Sequence, residues 1–186
     1  MIEVEKRSFI TKEKYEDIIV KLKKDNVDME ETNQITYYLK GDTDFRIMFP
    51  NDFTKMWLKK GNLHDDAREE MEVKVDNQYK EDLIKMLSAL NYEVEIKWFR
   101  KRIEATYNSY YLTLDYSIGY GYIIEIEKLV EDEKEIDDVK QELESTLKAL
   151  GVEITPKEEF NIKYQDYKLN WNSYTKEVNE AVFLNS

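Results

Sequence analysis

The sequence predicts an α+β fold of eight short strands and several helices. Apolar and charged residues alternate in eight segments, and stretches with helical spacing lie between them. The order strand, helix, strands occurs twice, which indicates two similar halves within one domain. With only 5 Gly and 2 Pro in the chain, no linker is evident. We therefore expect a single domain over residues 1–186, with a core in 1–150 and a helical tail in 151–186.

The first half of the chain is predicted to form a strand, a helix and then four strands. In residues 2–10, Ile2 and Val4 lie on one face, and Glu3 and Glu5 lie on the other. Thr11 is a suitable N-cap for a helix that continues to about residue 24. The next strands are predicted over 34–40, 44–49, 55–60 and 68–75, with a polar turn at 61–66.

The second half repeats this order. The spacing of Leu83, Leu87 and Leu90 predicts a helix over 77–90, and strands are predicted over 92–103, 110–116 and 122–130. Another helix is predicted over 131–150, and Gly151 is suited to end it. The remaining residues, 156–186, are expected to form one or two helices packed on the outside of the domain.

The composition argues against several classes of protein. The chain is 41% hydrophobic, which is typical of a globular protein, and it has no cysteine for disulfides, thiolate metal sites or nucleophilic catalysis. Its net charge of −12 argues against binding to nucleic acid or an anionic membrane. We find no signal peptide and no membrane-spanning apolar run, so a cytoplasmic location is expected. The one histidine, His64, lies in the predicted turn, which argues against a histidine-centred site.

Like charges recur on one face of several predicted strands. Residues two apart on a strand face are separated by roughly 7 Å, so like charges there repel unless a ligand lies between them. Paired carboxylates suit a hard divalent cation, and paired arginines suit phosphate oxygens. This pattern alone leaves open whether the charged faces line an interior site or face solvent. The pairs are Glu3 with Glu5, Glu125 with Glu127, and Arg100 with Arg102.

These motifs, in this order, resemble those of the CYTH domain family of triphosphate tunnel metalloenzymes. That family includes class IV adenylyl cyclases, thiamine triphosphatases and inorganic triphosphatases. Its N-terminal Glu-x-Glu-x-Lys motif is similar to residues 3–7. The resemblance covers roughly residues 2–150 and implies an eight-stranded antiparallel β-barrel, or tunnel, with helices packed outside. The further matching segments are residues 45–47, 57–61, 68–72, 99–102, 114–115, 119–127 and 173–174.

The resemblance also implies a set of site residues. Glu3, Glu5 and Arg7 are expected to be catalytic. Glu70 and Glu72 are expected either to orient the basic side chains or to bind a second metal ion. The expected ligands of one or two Mg²⁺ or Mn²⁺ ions are Glu3, Glu5, Asp115, Glu125 and Glu127. The expected substrate-binding residues are Arg7, Arg46, Lys59, Lys74, Arg100 and Arg102.

The chain departs from the family pattern at one position and is ambiguous at another. Arg7 stands where the family has lysine, and arginine does not lose its proton near neutral pH. In the lysine strand, the Lys-Gly match favours Lys60 as the inward residue, whereas strand alternation favours Lys59. We expect Lys59 to face the tunnel.

The resemblance implies a metal-dependent hydrolase acting on inorganic tripolyphosphate, a nucleoside triphosphate or thiamine triphosphate. Two alternatives stay open: a class IV adenylyl cyclase that makes cyclic AMP from ATP, and a non-catalytic module that binds phosphorylated ligands. The expected partner is a small triphosphate-containing substrate, with no nucleic acid or membrane, and the chain is expected to be a monomer or a homodimer.

Overall fold

One antiparallel sheet and five α-helices make up most of the chain. The computed structural model describes residues 2–50, 52–60 and 67–186, so the turn predicted at 61–66, with His64, lies outside the described residues. The strands are β1 Ile2–Ile10, β2 Met29–Leu39, β3 Asp44–Phe49, β4 Phe53–Lys59, β5 Ala67–Arg68, β6 Glu70–Asp76, β7 Val94–Tyr107, β8 Tyr110–Ser117 and β9 Gly121–Val130. The helices are α1 Lys12–Lys24, α2 Lys80–Ala89, α3 Ile136–Ala149, α4 Lys157–Thr175 and α5 Glu180–Leu184.

The sheet curls into the predicted tunnel-like barrel. Its order is β5-β1-β9-β8-β7-β2-β3-β4-β6, and neighbouring strands are antiparallel. The two edge strands, β5 and β6, are separated by the single residue Glu69, so they are parts of one interrupted strand. β5 pairs with β1 and β6 pairs with β4, so this one segment lies beside both ends of the sheet. The expected eight-stranded antiparallel architecture with helices outside is confirmed.

The main hydrophobic core lies outside the barrel, between the sheet and the helices. Val4 and Ile126 on the outer face of β1 and β9 pack with Leu143 of α3. On the opposite side, Phe49 of β3 packs with Leu87 of α2. Because strand side chains alternate between the two faces, apolar residues that pack outward leave the intervening charged residues pointing inward. Among the described helices, none is both long and apolar enough to span a membrane.

Several elements differ from their predicted limits. β2 begins at Met29, five residues before the predicted start at 34, because it pairs with β7 from Met29 opposite Ala105 onward. This pairing holds a polar stretch in a strand, although its composition gives little strand preference. The long acidic helix begins at Ile136, after a 3₁₀ turn, and Gly151 follows it with a positive φ of 71°, as a helix-ending glycine does.

The tail forms two helices, and the longer one also reaches the barrel interior. In α4, Phe160 is 4% exposed and stacks on Phe9 of β1, with 4.4 Å between ring centroids. The Tyr167 hydroxyl donates a hydrogen bond of 3.0 Å to the carbonyl of Lys97. The indole N–H of Trp171 donates one of 3.0 Å to the carbonyl of Glu95. Helix α4 therefore covers the end of the barrel where Phe9 lies, in addition to packing on the outside.

Candidate functional site

The barrel encloses a charged cavity of about 600 Å³. Its walls are built from the inward-facing residues of eight strands, together with Phe160 and Tyr164 of α4. Of the residues predicted for the site, those that line it are Glu3, Glu5, Arg7, Arg46, Lys59, Glu70, Glu72, Arg100, Arg102, Asp115, Glu125 and Glu127. Side chains from seven different strands therefore meet in a single cavity.

Three of the carboxylates, Glu3, Glu5 and Glu127, form what we call the acidic cluster. The β1–β9 register places Glu5 directly opposite Glu127, and Glu3 lies two residues before Glu5 on the same face. One carboxylate oxygen from each lies within 4.8 Å of the others. Burial, and after it the charges of Glu125 and Glu3, raises the pKa of Glu127 to about 8. Carboxylates this close repel one another unless a cation lies between them, so the acidic cluster fits a divalent metal ion with oxygen ligands.

Adding Mg²⁺ or Mn²⁺ is expected to stabilise the protein against heating, because the ion would bind the folded acidic cluster and not the unfolded chain. At a metal concentration 100 times Kd, the free energy of unfolding is expected to rise by about 2.7 kcal/mol, which raises Tm by roughly 5–10 °C for a chain of this size. Differential scanning fluorimetry measures this shift. Glu127→Gln is expected to reduce it, and the exposed control Glu131→Gln to keep it. Equal shifts in the wild type and Glu127→Gln would contradict a metal site at the acidic cluster.

Asp115, expected as a metal ligand, is instead paired with two arginines. Arg102 donates two hydrogen bonds of 2.8 Å to its carboxylate, and Arg100 Nε lies 3.4 Å from the same group. This pairing follows from the β7–β8 register, which sets Arg102 directly opposite Asp115. Burial opposes ionisation of Asp115, but Arg100 and Arg102 outweigh it and lower its pKa. Asp115 is therefore not a member of the acidic cluster, and its carboxylate neutralises the arginines.

Arg7 lies between the acidic cluster and the end covered by α4. Its Nη1 atom is 3.6 Å from Glu5 and 4.0 Å from Glu125. Its guanidinium also lies 4.8 Å from the ring centroid of Phe160. Burial, and after it the charge of Glu5, raises the pKa of Glu125, whose carboxylate is thus less readily ionised than an exposed glutamate.

Lys59 faces the cavity and Lys60 does not. The Lys59 ammonium donates a hydrogen bond of 2.9 Å to Glu3 and lies 2.8 Å from Glu70. Lys60 is on the outer side, where its exposed ammonium pairs with Glu69 at 3.1 Å. The inward residue is therefore the one that strand alternation predicts. Lys59 connects Glu3 of the acidic cluster to Glu70 of β6.

Lys74, expected as a substrate-binding residue, is not among the residues that line the cavity. Its side chain is 57% exposed, and its ammonium lies 5.0 Å from the ring centroid of Phe53. The β4–β6 register sets Lys74 opposite Lys55, whose ammonium takes the neighbouring carboxylates of Glu70 and Glu72. The Lys74 ammonium lies 4.0 Å from Glu72, so it shares this carboxylate with Lys55 and stays at the surface. Lys55, which the sequence analysis missed, lines the cavity in its place.

Arg46 is buried and already paired within its own strand. Its guanidinium makes two hydrogen bonds to the Asp44 carboxylate and lies 4.4 Å from the ring centroid of Tyr38. A phosphate that binds Arg46 would compete with Asp44 for the same N–H groups.

Gln34 is a cavity residue that the sequence analysis also missed. It lies directly opposite Arg100 on the neighbouring strand, and both residues line the cavity. The amide oxygen of Gln34 and the Nε atom of Arg100 are buried without a hydrogen-bond partner. Because Arg100 Nε has only its 3.4 Å contact with Asp115, both atoms are available to a ligand or water in the cavity. Alternation with Tyr38 could have placed Gln34 on the inner face, but nothing local marks it as functional.

Several solved structures share this architecture. The PH1819 protein of Pyrococcus horikoshii OT3 is 24% identical, with 82% of this chain and 92% of that chain covered and a TM-score of 0.69. A candidate adenylate cyclase from Vibrio parahaemolyticus is 14% identical, with 86% and 97% covered and a TM-score of 0.65. HpAC1 of Hippeastrum, a candidate adenylyl cyclase described as having a dominant triphosphatase activity, is 17% identical, with 89% and 95% covered and a TM-score of 0.63.

Comparison with curated protein sequences gives no match. The CYTH domain family, in contrast, matches residues 1–176, which is nearly the whole chain. Members of that family are triphosphatases or cyclases and depend on a divalent metal. The tunnel-like barrel and its charged cavity agree with this match over nearly the whole chain. The chain therefore belongs to the CYTH domain family.

Proposed function

We propose that the protein is a metal-dependent hydrolase of a triphosphate, with Mg²⁺ or Mn²⁺ as its cofactor. The observation that supports this most is the meeting of the acidic cluster with arginines and lysines in one cavity of the barrel. A polyphosphate chain is the ligand that such a cavity suits, because it binds a cation on one side and guanidinium groups on another. In a protein of net charge −12, these cations are a local exception to the overall sign of the charge.

The cavity residues divide into carboxylates that would hold the metal ion and arginines that differ in how firmly they are already paired. Glu3, Glu5 and Glu127 would hold the metal ion, which supplies neutralisation of phosphate charge when bound. Arg100 has an Nε atom without a hydrogen bond and is held to Asp115 only by an ion pair of 3.4 Å, so it can turn to a phosphate oxygen more easily than Arg102 can. Arg102 is held by two hydrogen bonds to Asp115, so we assign it mainly to positioning that carboxylate. Among the arginines, we therefore assign phosphate binding mainly to Arg100 and to Arg7, which lies beside Glu5 and Glu125.

Arg7 would act as a fixed positive charge. Arginine stays protonated near neutral pH, so this residue cannot accept a proton from an attacking water. Its position beside Glu5 and Glu125 suits contact with the transferred phosphoryl group. Phosphoryl transfer depends mainly on positioning and charge neutralisation, which a permanent cation supplies as well as a lysine does. The departure from the family's lysine is therefore compatible with hydrolysis.

The test is an assay of phosphate release from tripolyphosphate, ATP and thiamine triphosphate, with Mg²⁺ or Mn²⁺ and with EDTA. We expect metal-dependent release from at least one of the three, and its abolition by EDTA. Cyclic AMP is measured in parallel with ATP as substrate.

The outcomes separate the three functions. Cyclic AMP without phosphate release would replace the hydrolase by a cyclase acting at the same cavity. Binding of tripolyphosphate with neither product would instead indicate a non-catalytic module. Either result, obtained with folded protein, would overturn the proposed hydrolysis.

A further inference from the structure

Two apolar residues stand where the charged cavity meets solvent. Tyr111 of β8 is 38% exposed and Leu129 of β9 is 56% exposed, and both line the cavity. The strand registers set Tyr111 directly opposite Glu127 and Leu129 directly opposite Glu3. Each of these residues, which together we call the apolar rim, is therefore the cross-strand neighbour of a member of the acidic cluster. The Tyr111 hydroxyl donates a hydrogen bond to Glu104, which holds the ring at the rim.

The other end of the cavity is closed and its aromatic rings already have partners. Phe160 stacks on Phe9 there, so α4 covers this end. Trp98 contacts Tyr120, with 4.5 Å between ring centroids, and Tyr38 lies 4.4 Å from the Arg46 guanidinium. A ring attached to the phosphate chain would have to displace these contacts in order to bind at the closed end.

The acidic cluster lies between these two ends, so the type of side chain changes along the cavity from one end to the other. Along β1 the inward residues are Glu3, Glu5, Arg7 and then Phe9, so the order from the rim is carboxylates, arginine, aromatic end. Phosphates bound to the carboxylates and arginines would fill this inner part. Anything attached to the phosphate chain is then left at the rim, where apolar surface is exposed.

On the basis of the proposed function, we propose that the substrate is an organic triphosphate whose organic group binds at the apolar rim. Its phosphates lie inside, on the acidic cluster and the arginines. An aromatic side chain such as Tyr111 stacks on planar rings of different kinds, and Leu129 adds apolar contact. The apolar rim thus contributes to recognition of the organic group, and inorganic tripolyphosphate makes no use of it.

The test compares KM and kcat for ATP, thiamine triphosphate and tripolyphosphate in four variants. Tyr111→Ser and Leu129→Ser are expected to raise KM for the accepted organic triphosphate about tenfold, the effect of losing one stacking or apolar contact. Tripolyphosphate, which has no organic group, is expected to keep its KM. Tyr111→Phe keeps the ring but loses the hydrogen bond to Glu104, and it is expected to raise this KM by much less than Tyr111→Ser does. Leu169→Ser, at an 81% exposed apolar position on α4, is the matched control and is expected to change nothing.

Several results would overturn the apolar rim as the binding surface. A KM raised equally for tripolyphosphate would mean that the two residues act on the phosphates or on the fold. An unchanged KM for every substrate in both serine variants would show that the organic group binds elsewhere. A wild type that hydrolyses only tripolyphosphate would show that the substrate has no organic group. A wild type that hydrolyses none of the three would instead overturn the proposed function, whatever the rim variants do.

Discussion

The double substitution Glu3→Gln/Glu5→Gln is expected to lower metal-dependent phosphate release by about 10³-fold, since metal neutralisation of phosphate charge contributes several kcal/mol to the transition state. Glutamine keeps the size of glutamate and one oxygen but removes the charge that a divalent cation requires. Of the three carboxylates of the acidic cluster, only Glu127 would remain. The measurement is steady-state phosphate release with Mg²⁺ or Mn²⁺ at saturating substrate.

A matched control separates this effect from a general change in charge. Glu133→Gln/Glu135→Gln removes two carboxylates with the same spacing from an exposed 3₁₀ turn and is expected to keep full activity. Because Glu3 also accepts a hydrogen bond from Lys59, thermal unfolding of each variant shows whether the fold is retained. Wild-type activity in the folded Glu3→Gln/Glu5→Gln variant would refute the role of the acidic cluster.

Asp115→Asn is expected to lower the free energy of unfolding by about 3–5 kcal/mol, the usual effect of removing one partner from a buried ion pair. The asparagine leaves Arg100 and Arg102 in the cavity without their shared carboxylate. Urea or thermal unfolding of the metal-free protein measures the loss. Asp137→Asn, at a side chain that is 91% exposed, is the control and is expected to change stability by less than about 0.5 kcal/mol.

The effect of Asp115 is also expected to depend on pH. The folded protein lowers the pKa of Asp115, so its contribution is fully present above the pKa of an unfolded aspartate and is lost as the pH falls through the lower, folded value. The gap in stability between wild type and Asp115→Asn should therefore narrow in acid. A metal-free Asp115→Asn variant as stable as the wild type at neutral pH would contradict the stabilising role of Asp115 beside the arginines.

Much of the site was predictable because strand alternation is a local property. Glu3, Glu5 and Arg7 follow one another at every second residue, so one face of β1 could be identified as charged from the sequence alone. The same reasoning chose Lys59 over Lys60, and the structure places Lys59 in the cavity. The order of these faces along the chain also carried the resemblance to the CYTH domain family, which the match over residues 1–176 confirms.

The partners of each charge were not predictable, because they depend on strand register. Asp115 and Glu127 are both acidic residues on inward faces, yet one meets Arg102 and the other meets Glu5. Lys74 has the alternation of a cavity residue and nevertheless stays at the surface, opposite Lys55. A shift of one residue in any of these pairings would exchange the inner and outer faces.

The sequence by itself determined the strands, the charged inner faces and the family, since each rests on residues that are close together in the chain. Only the tertiary structure decided which three carboxylates converge, which arginines are neutralised, and that Phe160 of α4 covers one end of the cavity. Phe160 contacts Phe9, a residue about 150 positions earlier, and no local pattern links two residues so far apart. The physical reason is that burial against helices orients each strand, whereas curling of the sheet brings distant strands together around one cavity.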